Sequence, residues 1–553
     1  MQGGCEITGY MVFWKKKGGI WLKKFSFRLI ALVVAVVLLS GCAQLKNTSG
    51  FSRDWETRYS DMVYTRPDMV RMQQILDDAL LAAKGDDFSI ILDSIYTFNE
   101  FYDDFYTNYS LADIKYSADL TDLYWEDEYD FCAGSSPEVE AALEELYRGL
   151  AQSPCREELE SEDYFGADFF DAYEGDSVWD ESFAALMDRE AELQNRYYEL
   201  SNEAMEYELG TAEYYDACGG EMVNLLVELI ALRQQIAACW GYDSYPEFAS
   251  DFYHYRDYTM AESEHYLEQI RQELVGLYME ICESQRWETG KGLCTEADTF
   301  AYVRNVASAM GGDVWQAFRL MDRAGLYDIA YGENKYPSSF SVYLTSYWEP
   351  FIFMNPSLTA WDKLTFAHEF GHFCNDYLSY GSYVGTDVAE IFSQGMEYLS
   401  LCYAENAEEL VWLKMADSLC LMVEQAAFAS FEQQMYSLQG EDLTEETLRQ
   451  LYAAVVEEYG FDSLGFCDWD FVTINHYYTN PMYIISYVVS NDAALQLYQM
   501  EQEEPGKGLA CYQENLDTEE VNLLEFLSSA GLKSPFEPGR AAEIRLTLEQ
   551  MLK

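Results

Sequence analysis

Two of the five histidines in the chain stand four residues apart, in His368-Glu369-Phe370-Gly371-His372. On a strand these two rings would lie roughly 13 Å apart; on an α-helix they share one face and can reach one metal ion. The pattern therefore asks for a helix. Glu369 follows the first ring and stands beside the open side of such a site, where a general base is needed. Lone histidines on helices are mostly surface or packing residues, but a pair at this spacing with a glutamate between them is the zinc-peptidase arrangement. A catalytic zinc takes three protein ligands and keeps one position open. One peptidase class supplies the third ligand from a Gly-x-x-His that follows directly. Phe373-Cys374-Asn375-Asp376 stands there instead, which excludes that class.

A second helix fits better as the source. Asp387 to Glu397 follows a glycine-containing turn, and Glu390 lies 22 residues past His368, enough for the chain to finish one helix and double back. Asp387 could instead be a helix cap with Glu390 as its partner. Glu397, seven residues on and on the same face, is the rival ligand or a partner for a ligating histidine. Further on, His476-Tyr477-Tyr478-Thr479-Asn480-Pro481-Met482-Tyr483 leads into Tyr487. Asn480 as cap and Pro481 at the first helical position predict a helix start there, with Tyr483 and Tyr487 on one face. In a chain with 45 tyrosines, plain aromatic packing is the ordinary explanation.

The chain of 553 residues is 49% hydrophobic and has only 11 prolines, so it is expected to be mainly α with a large core. Breaks are expected near Gly85, at Gly134-Ser135-Ser136-Pro137 and at Ser153-Pro154. Met222, Leu225, Leu226, Leu229, Leu232 and Ile236 keep a helical rhythm that Gly241 ends, and a further helix runs from about Met260 to Ser284. Phe340, Val342 and Leu344, then Pro350 to Met354, read as two short strands just before the motif helix, with an edge suited to docking an extended peptide. That helix is expected from Thr359, where Thr359-x-x-Asp362 resembles a capping box, to about Ser379, with Gly381 as its stop. The chain divides into an N-terminal helical region, 51–210, and a catalytic region, 211–553.

The first 41 residues hold six bases and one acid and include an 11-residue apolar run, Leu29 to Leu39. That is too short for an ordinary bilayer-spanning helix and reads as an export signal. Leu39-Ser40-Gly41-Cys42 resembles a bacterial lipobox, which predicts lipidation of Cys42 and a polar tether from Ala43 to Gly50. The localisation expected is lipid-anchored to the cell membrane, facing outside the cytoplasm. Without the signal, 28 bases and 96 acids remain, a net charge of −68. Such a surface repels nucleic acid and anionic membrane and serves mainly as a solvated coat. Of 13 cysteines, Cys5 leaves with the signal and Cys42 carries lipid. The 11 others show no tight pairing: Cys374 and Cys402 read as core residues, and Cys282 with Cys294 as a candidate disulfide.

His-Glu-Phe-Gly-His followed by a helix with Glu390-x-x-Ser393-Gln394 and Glu397 resembles the thimet oligopeptidase and oligoendopeptidase F family of zinc metallopeptidases. Leu229 to Tyr242 and Arg256-Asp257-Tyr258-Thr259 are similar to the oligoendopeptidase F branch, with fainter similarity at Leu146-Tyr147-Arg148 and Ser153-Pro154. The loop between the two ligand helices is shorter than is common there. The resemblance implies two helical lobes flanking a deep channel, one zinc ion on His368, His372 and Glu390, and short unfolded peptides as substrates. It also implies that His476 and Tyr487, with Tyr483 as the alternative, bind the carbonyl oxygen of the scissile bond. Competing readings are a zinc carboxypeptidase or dipeptidyl carboxypeptidase of similar architecture, and a surface lipoprotein that binds peptides without cutting them.

Overall fold

Helices form where apolar residues recur at helical spacing, and several begin on a side chain that caps the first turn. The computed structural model describes residues 57–552 except 162–163, 175–180, 205–206, 208–210, 285, 287–289, 291 and 519. The apolar run Leu29 to Leu39, Cys42 and the tether 43–50 lie outside the described residues.

Three helices, α1 (Met69–Ala83), α2 (Phe88–Ala118) and α3 (Leu123–Ala151), each begin on an aspartate, Asp68, Asp87 and Asp122, whose carboxylate accepts first-turn N–H groups. They bury a core of their own that includes Met72, Ile91, Phe98, Leu143 and Leu146. The break expected at Gly134 to Pro137 does not occur, and α3 runs through with Pro137 inside it. Cys132, Val139, Leu143 and Leu146 are buried on both sides of the proline, so packing offsets the hydrogen bond it removes. The break at Ser153-Pro154 is observed, since α3 ends at Ala151.

A second, larger core takes in residues from Phe183 to Leu552 together with Leu111 and Ile114 of α2. It is built by α4 (Glu181–Ala204), α5 (Gly220–Cys239), α6 (Met260–Cys282), α7 (Glu296–Met310), α8 (Gly312–Ala324), α9 (Asp362–Ser379), α10 (Thr386–Tyr403), α11 (Glu408–Met435), α12 (Glu445–Glu458), α13 (Ile484–Glu503) and α14 (Arg540–Leu552). The six apolar positions expected to face inward on α5 are all buried, and Gly241 beyond its end takes φ +82°. Helix α4, placed with the N-terminal region from sequence, packs into this second core, and α2 contributes to both, with Tyr109, Ala112 and Tyr116 in the first and Leu111 and Ile114 in the second.

The strands β1 (Tyr327–Asp328), β2 (Ser339–Leu344) and β3 (Glu349–Met354) form one sheet in the order β1-β3-β2. β2 pairs antiparallel with β3, with Phe340 opposite Phe353 and Val342 opposite Phe351. The two-residue β1, not expected from sequence, pairs parallel. The turn after β2 meets the first lobe: Ser346 N donates to Thr107 Oγ1 at 2.8 Å and Ser346 Oγ to Asp104 Oδ1 at 2.7 Å, both on α2. The sheet thus joins the two lobes beside α9.

Helix α9 starts at Asp362 rather than Thr359. The Thr359 hydroxyl pairs with Ser357 Oγ at 2.7 Å instead of capping, and the Asp362 carboxylate accepts Ser357 N at 2.8 Å and Thr359 N at 3.2 Å. The helix ends at Ser379, followed by Tyr380 and Gly381, both at positive φ. No disulfide joins any two of the eleven described cysteines. Cys282 and Cys294 do not pair: Cys294 is buried with its sulfur 3.5 Å from Thr299 Oγ1. Cys374 is fully buried and Cys402 half-buried.

At Gly371, α9 meets α10. A Cβ there would lie 2.4 Å from the Phe392 carbonyl oxygen and 2.7 Å from Ser393 Cα. The contact is with backbone, which cannot rotate away. Gly371→Ala is therefore expected to force the helices apart and to destabilise by about 1–3 kcal/mol, read as a lower thermal midpoint. An unchanged midpoint would show that the helices are not held at this distance.

Candidate metal centre

Three side chains from the two crossing helices converge. His368, His372 and Glu390 each offer one ligand atom, and these atoms all lie within 4.8 Å of one another. His368 Nε2 is 3.5 Å from Glu390 Oε2, close to the roughly 3.4 Å edge of a tetrahedron with zinc bonds of about 2.1 Å. The i, i+4 spacing turns the two rings to one side, with centroids 5.0 Å apart. Two nitrogens and one carboxylate oxygen are a donor set that suits zinc, so the residues present fit that ion.

The capping role considered for Asp387 is not taken. Gly385 is the N-cap of α10, and Asp387 is buried, accepting the Ser486 hydroxyl. Glu390 is left free for the site. Its Oε1 accepts the Tyr483 hydroxyl at 2.7 Å and its Oε2 the Ser393 hydroxyl at 2.9 Å.

Glu397 stands behind the first histidine rather than in the ligand set, with its Oε1 2.8 Å from His368 Nδ1. Burial pushes the Glu397 carboxyl up, but the Lys414 charge and the His368 contact outweigh it and leave the pKa below the usual value. An ionised carboxylate only accepts, so Nδ1 carries the proton and Nε2 faces the site. Lys414 Nζ lies 2.8 Å from the other Glu397 oxygen. Lys414 was not picked out from sequence, although a single lysine in the apolar stretch of α11 signals a buried partner. His372 is driven down to about 4 by burial, with the His368 charge adding, so its ring is neutral and able to ligate.

Glu369 accepts the Ser339 hydroxyl at 2.7 Å. Burial raises its pKa to about 7, against the lowering effects of His368 and Ser339. Ser339 opens the edge strand β2, and its role was not foreseen. A carboxyl poised near neutrality suits proton transfer in both directions.

His476 and Tyr487 come together, with Tyr487 Oη 3.4 Å from His476 Nε2. Burial takes His476 down to about 4, leaving it neutral, and pushes the Tyr487 and Tyr483 hydroxyls upward, so both stay protonated. Tyr483 and Tyr487 rings are 5.1 Å apart. Tyr483 is engaged with Glu390, so of the two tyrosines it is the one that orients the carboxylate. The predicted helix start at Asn480-Pro481 is not observed: a single helical turn covers His476–Thr479 and α13 begins at Ile484. His368, Glu369, Glu390 and Glu397 are buried, whereas His372, His476, Tyr483 and Tyr487 keep part of their surface open.

Residues 59–177 match the peptidase M3 N-terminal domain and residues 255–551 match peptidase family M3. The chain belongs to peptidase family M3. It is a metallopeptidase by family, and its mostly helical architecture is the M3 fold. A solved structure assigned as an oligoendopeptidase F aligns with a TM-score of 0.74 and 20% identity over 90% of this chain and 98% of that one. PZ peptidase A, solved with an inhibitor, gives 0.74 and 19% over 90% and 99%. A chain assigned as oligoendopeptidase F from Bacillus anthracis str. Ames gives 0.73 and 20% over 90% and 98%. At these identities the likeness is one of fold. No curated protein matches the chain.

The buried Lys414, Glu397 and His368 row predicts that Lys414→Met, which strands the Glu397 charge and loosens the ring, weakens zinc binding about ten- to a hundredfold. Chelator competition measures it, and wild-type affinity in that variant would remove the row from any part in the centre.

Proposed function

We propose that this M3 peptidase is a zinc-dependent endopeptidase that hydrolyses short unfolded peptides, held outside the cytoplasm by lipid on Cys42. The observation that carries the proposal is the convergence of His368, His372 and Glu390 with Glu369 beside them. Zinc bound by those three residues would supply a Lewis acid that polarises the scissile carbonyl and acidifies water.

The chain's own groups would do the rest. Glu369, with a pKa raised to about 7, takes the proton from the attacking water and returns it to the departing amine. Tyr487, a protonated phenol, and His476, a neutral imidazole, donate to the carbonyl oxygen as its negative charge grows. Tyr483 and Ser393 fix the Glu390 carboxylate through its two oxygens. The edge strand β2, whose Ser339 touches the base, lies where an extended peptide would dock.

Glu369→Gln is expected to bind one zinc per chain and to lose hydrolysis of an internally quenched ten-residue peptide. Retained turnover in that variant would sink the assignment of the base. The wild type should cut a peptide blocked at its C-terminus, lose that activity to a chelator and leave folded proteins intact. Failure on the blocked peptide would mark the enzyme as a carboxypeptidase. Cys42→Ser should move the protein from the membrane fraction to the soluble one.

A further inference from the structure

The turn between the helical turn His476–Thr479 and α13 has an unusual backbone. Met482 holds φ at +64°, a region that disfavours side chains other than glycine's hydrogen. Its polar groups are met by buried side chains from distant parts of the chain. Met482 N donates to Glu432 Oε1 at 2.7 Å. The Met482 carbonyl accepts Arg256 Nη2 at 2.7 Å, and the Pro481 carbonyl lies 3.0 Å from His254 Nε2. Burial and the Arg256 charge hold His254 neutral, so Nε2 carries the proton and donates. Upstream, Arg233 Nη1 donates to the Tyr477 carbonyl at 2.6 Å and Nη2 to that of Tyr478.

Arg256 reaches further than its neighbours. Its Nη2 also donates to Ser486 Oγ at 3.0 Å, and its Nε stands 3.6 Å from Asp387 Oδ2. The Ser486 hydroxyl donates in turn to Asp387 Oδ1. Asp387 is in the first turn of α10, three residues before Glu390, and Ser486 directly precedes Tyr487. One buried guanidinium therefore touches the turn that presents Tyr483, the helix that presents Tyr487 and the helix that presents Glu390. Mere satisfaction of the turn's backbone would need only the Met482 contact.

We propose that Arg256, acting with Asp387 and Ser486, is a positioning residue that sets the spacing between the His476 to Tyr487 segment and the helix bearing Glu390. The proposal rests on the peptidase mechanism above, in which those two groups act on one carbonyl. A displacement of even about 1 Å between groups that act together costs up to roughly a hundredfold in rate.

Ser486→Ala and Asp387→Asn break the bridge at nearly constant volume, and Arg256→Lys keeps the charge but not the forked reach. Ser486→Ala and Asp387→Asn are expected to fold and to bind one zinc per chain. In all three, kcat should fall roughly tenfold or more while KM stays within about threefold. Affinity for a phosphinic peptide, a tetrahedral mimic of the reacting carbonyl, should fall in step with kcat. Binding of the uncleaved peptide, measured by calorimetry in the Glu369→Gln background, should not change. Guanidinium added to Arg256→Ala should restore part of kcat. Wild-type kcat and phosphinate affinity in zinc-loaded Ser486→Ala and Asp387→Asn would overturn the proposal. So would losses that match the loss of folded, zinc-loaded protein, since a purely structural contact does that. Turnover retained by Glu369→Gln alone counts against the peptidase mechanism instead, and the phosphinate comparison still judges the clamp.

Discussion

The backbone contact at Gly371 governs the geometry of the centre. Helices normally pack with axes 8–10 Å apart, and the contact of position 371 with Phe392 and Ser393 backbone is possible only without a side chain. His372 follows Gly371 directly, and Glu390 stands two residues before Phe392, so this tight contact lies beside the ligands the two helices carry. The Phe392 carbonyl is also gripped by the Tyr512 hydroxyl at 2.9 Å. Ligands held on helices that touch backbone to backbone have little room to drift, as a catalytic metal requires.

Electrostatics then decide what each buried carboxyl does. The chain carries 97 acids, yet each one at the centre has its own answer to burial. Glu397 has Lys414, Asp387 has Ser486 and Arg256, and Glu390 has two hydroxyls. Glu369 has one serine hydroxyl, and burial raises its pKa to about 7. Glu397, lowered by Lys414 and His368, stays charged and holds the ring, whereas Glu369 can exchange a proton.

Spacing alone marked the two histidines, the base and a pair of candidate third ligands, and the family resemblance chose Glu390 over Glu397. His368, Glu369 and His372 lie within one helical turn and a half, and Glu390 and Glu397 lie on the next helix at intervals that keep them on one face. What could not be read depends on partners far along the chain. Lys414, Arg256 and His254 have meaning only through Glu397, Met482 and Pro481, the last two more than two hundred residues away. The same limit misplaced local boundaries. Asn480-Pro481 has every local mark of a helix start, but buried donors from elsewhere hold that stretch as a turn. Gly134 to Pro137 has the marks of a break, and side chains packed on both sides keep it helical.

No disulfide joins any two of the eleven described cysteines, in a molecule whose two cores are closed by apolar packing and buried ion pairs. Its described part thus owes nothing to oxidation. For the described part, then, a reducing agent has no cross-link to cut.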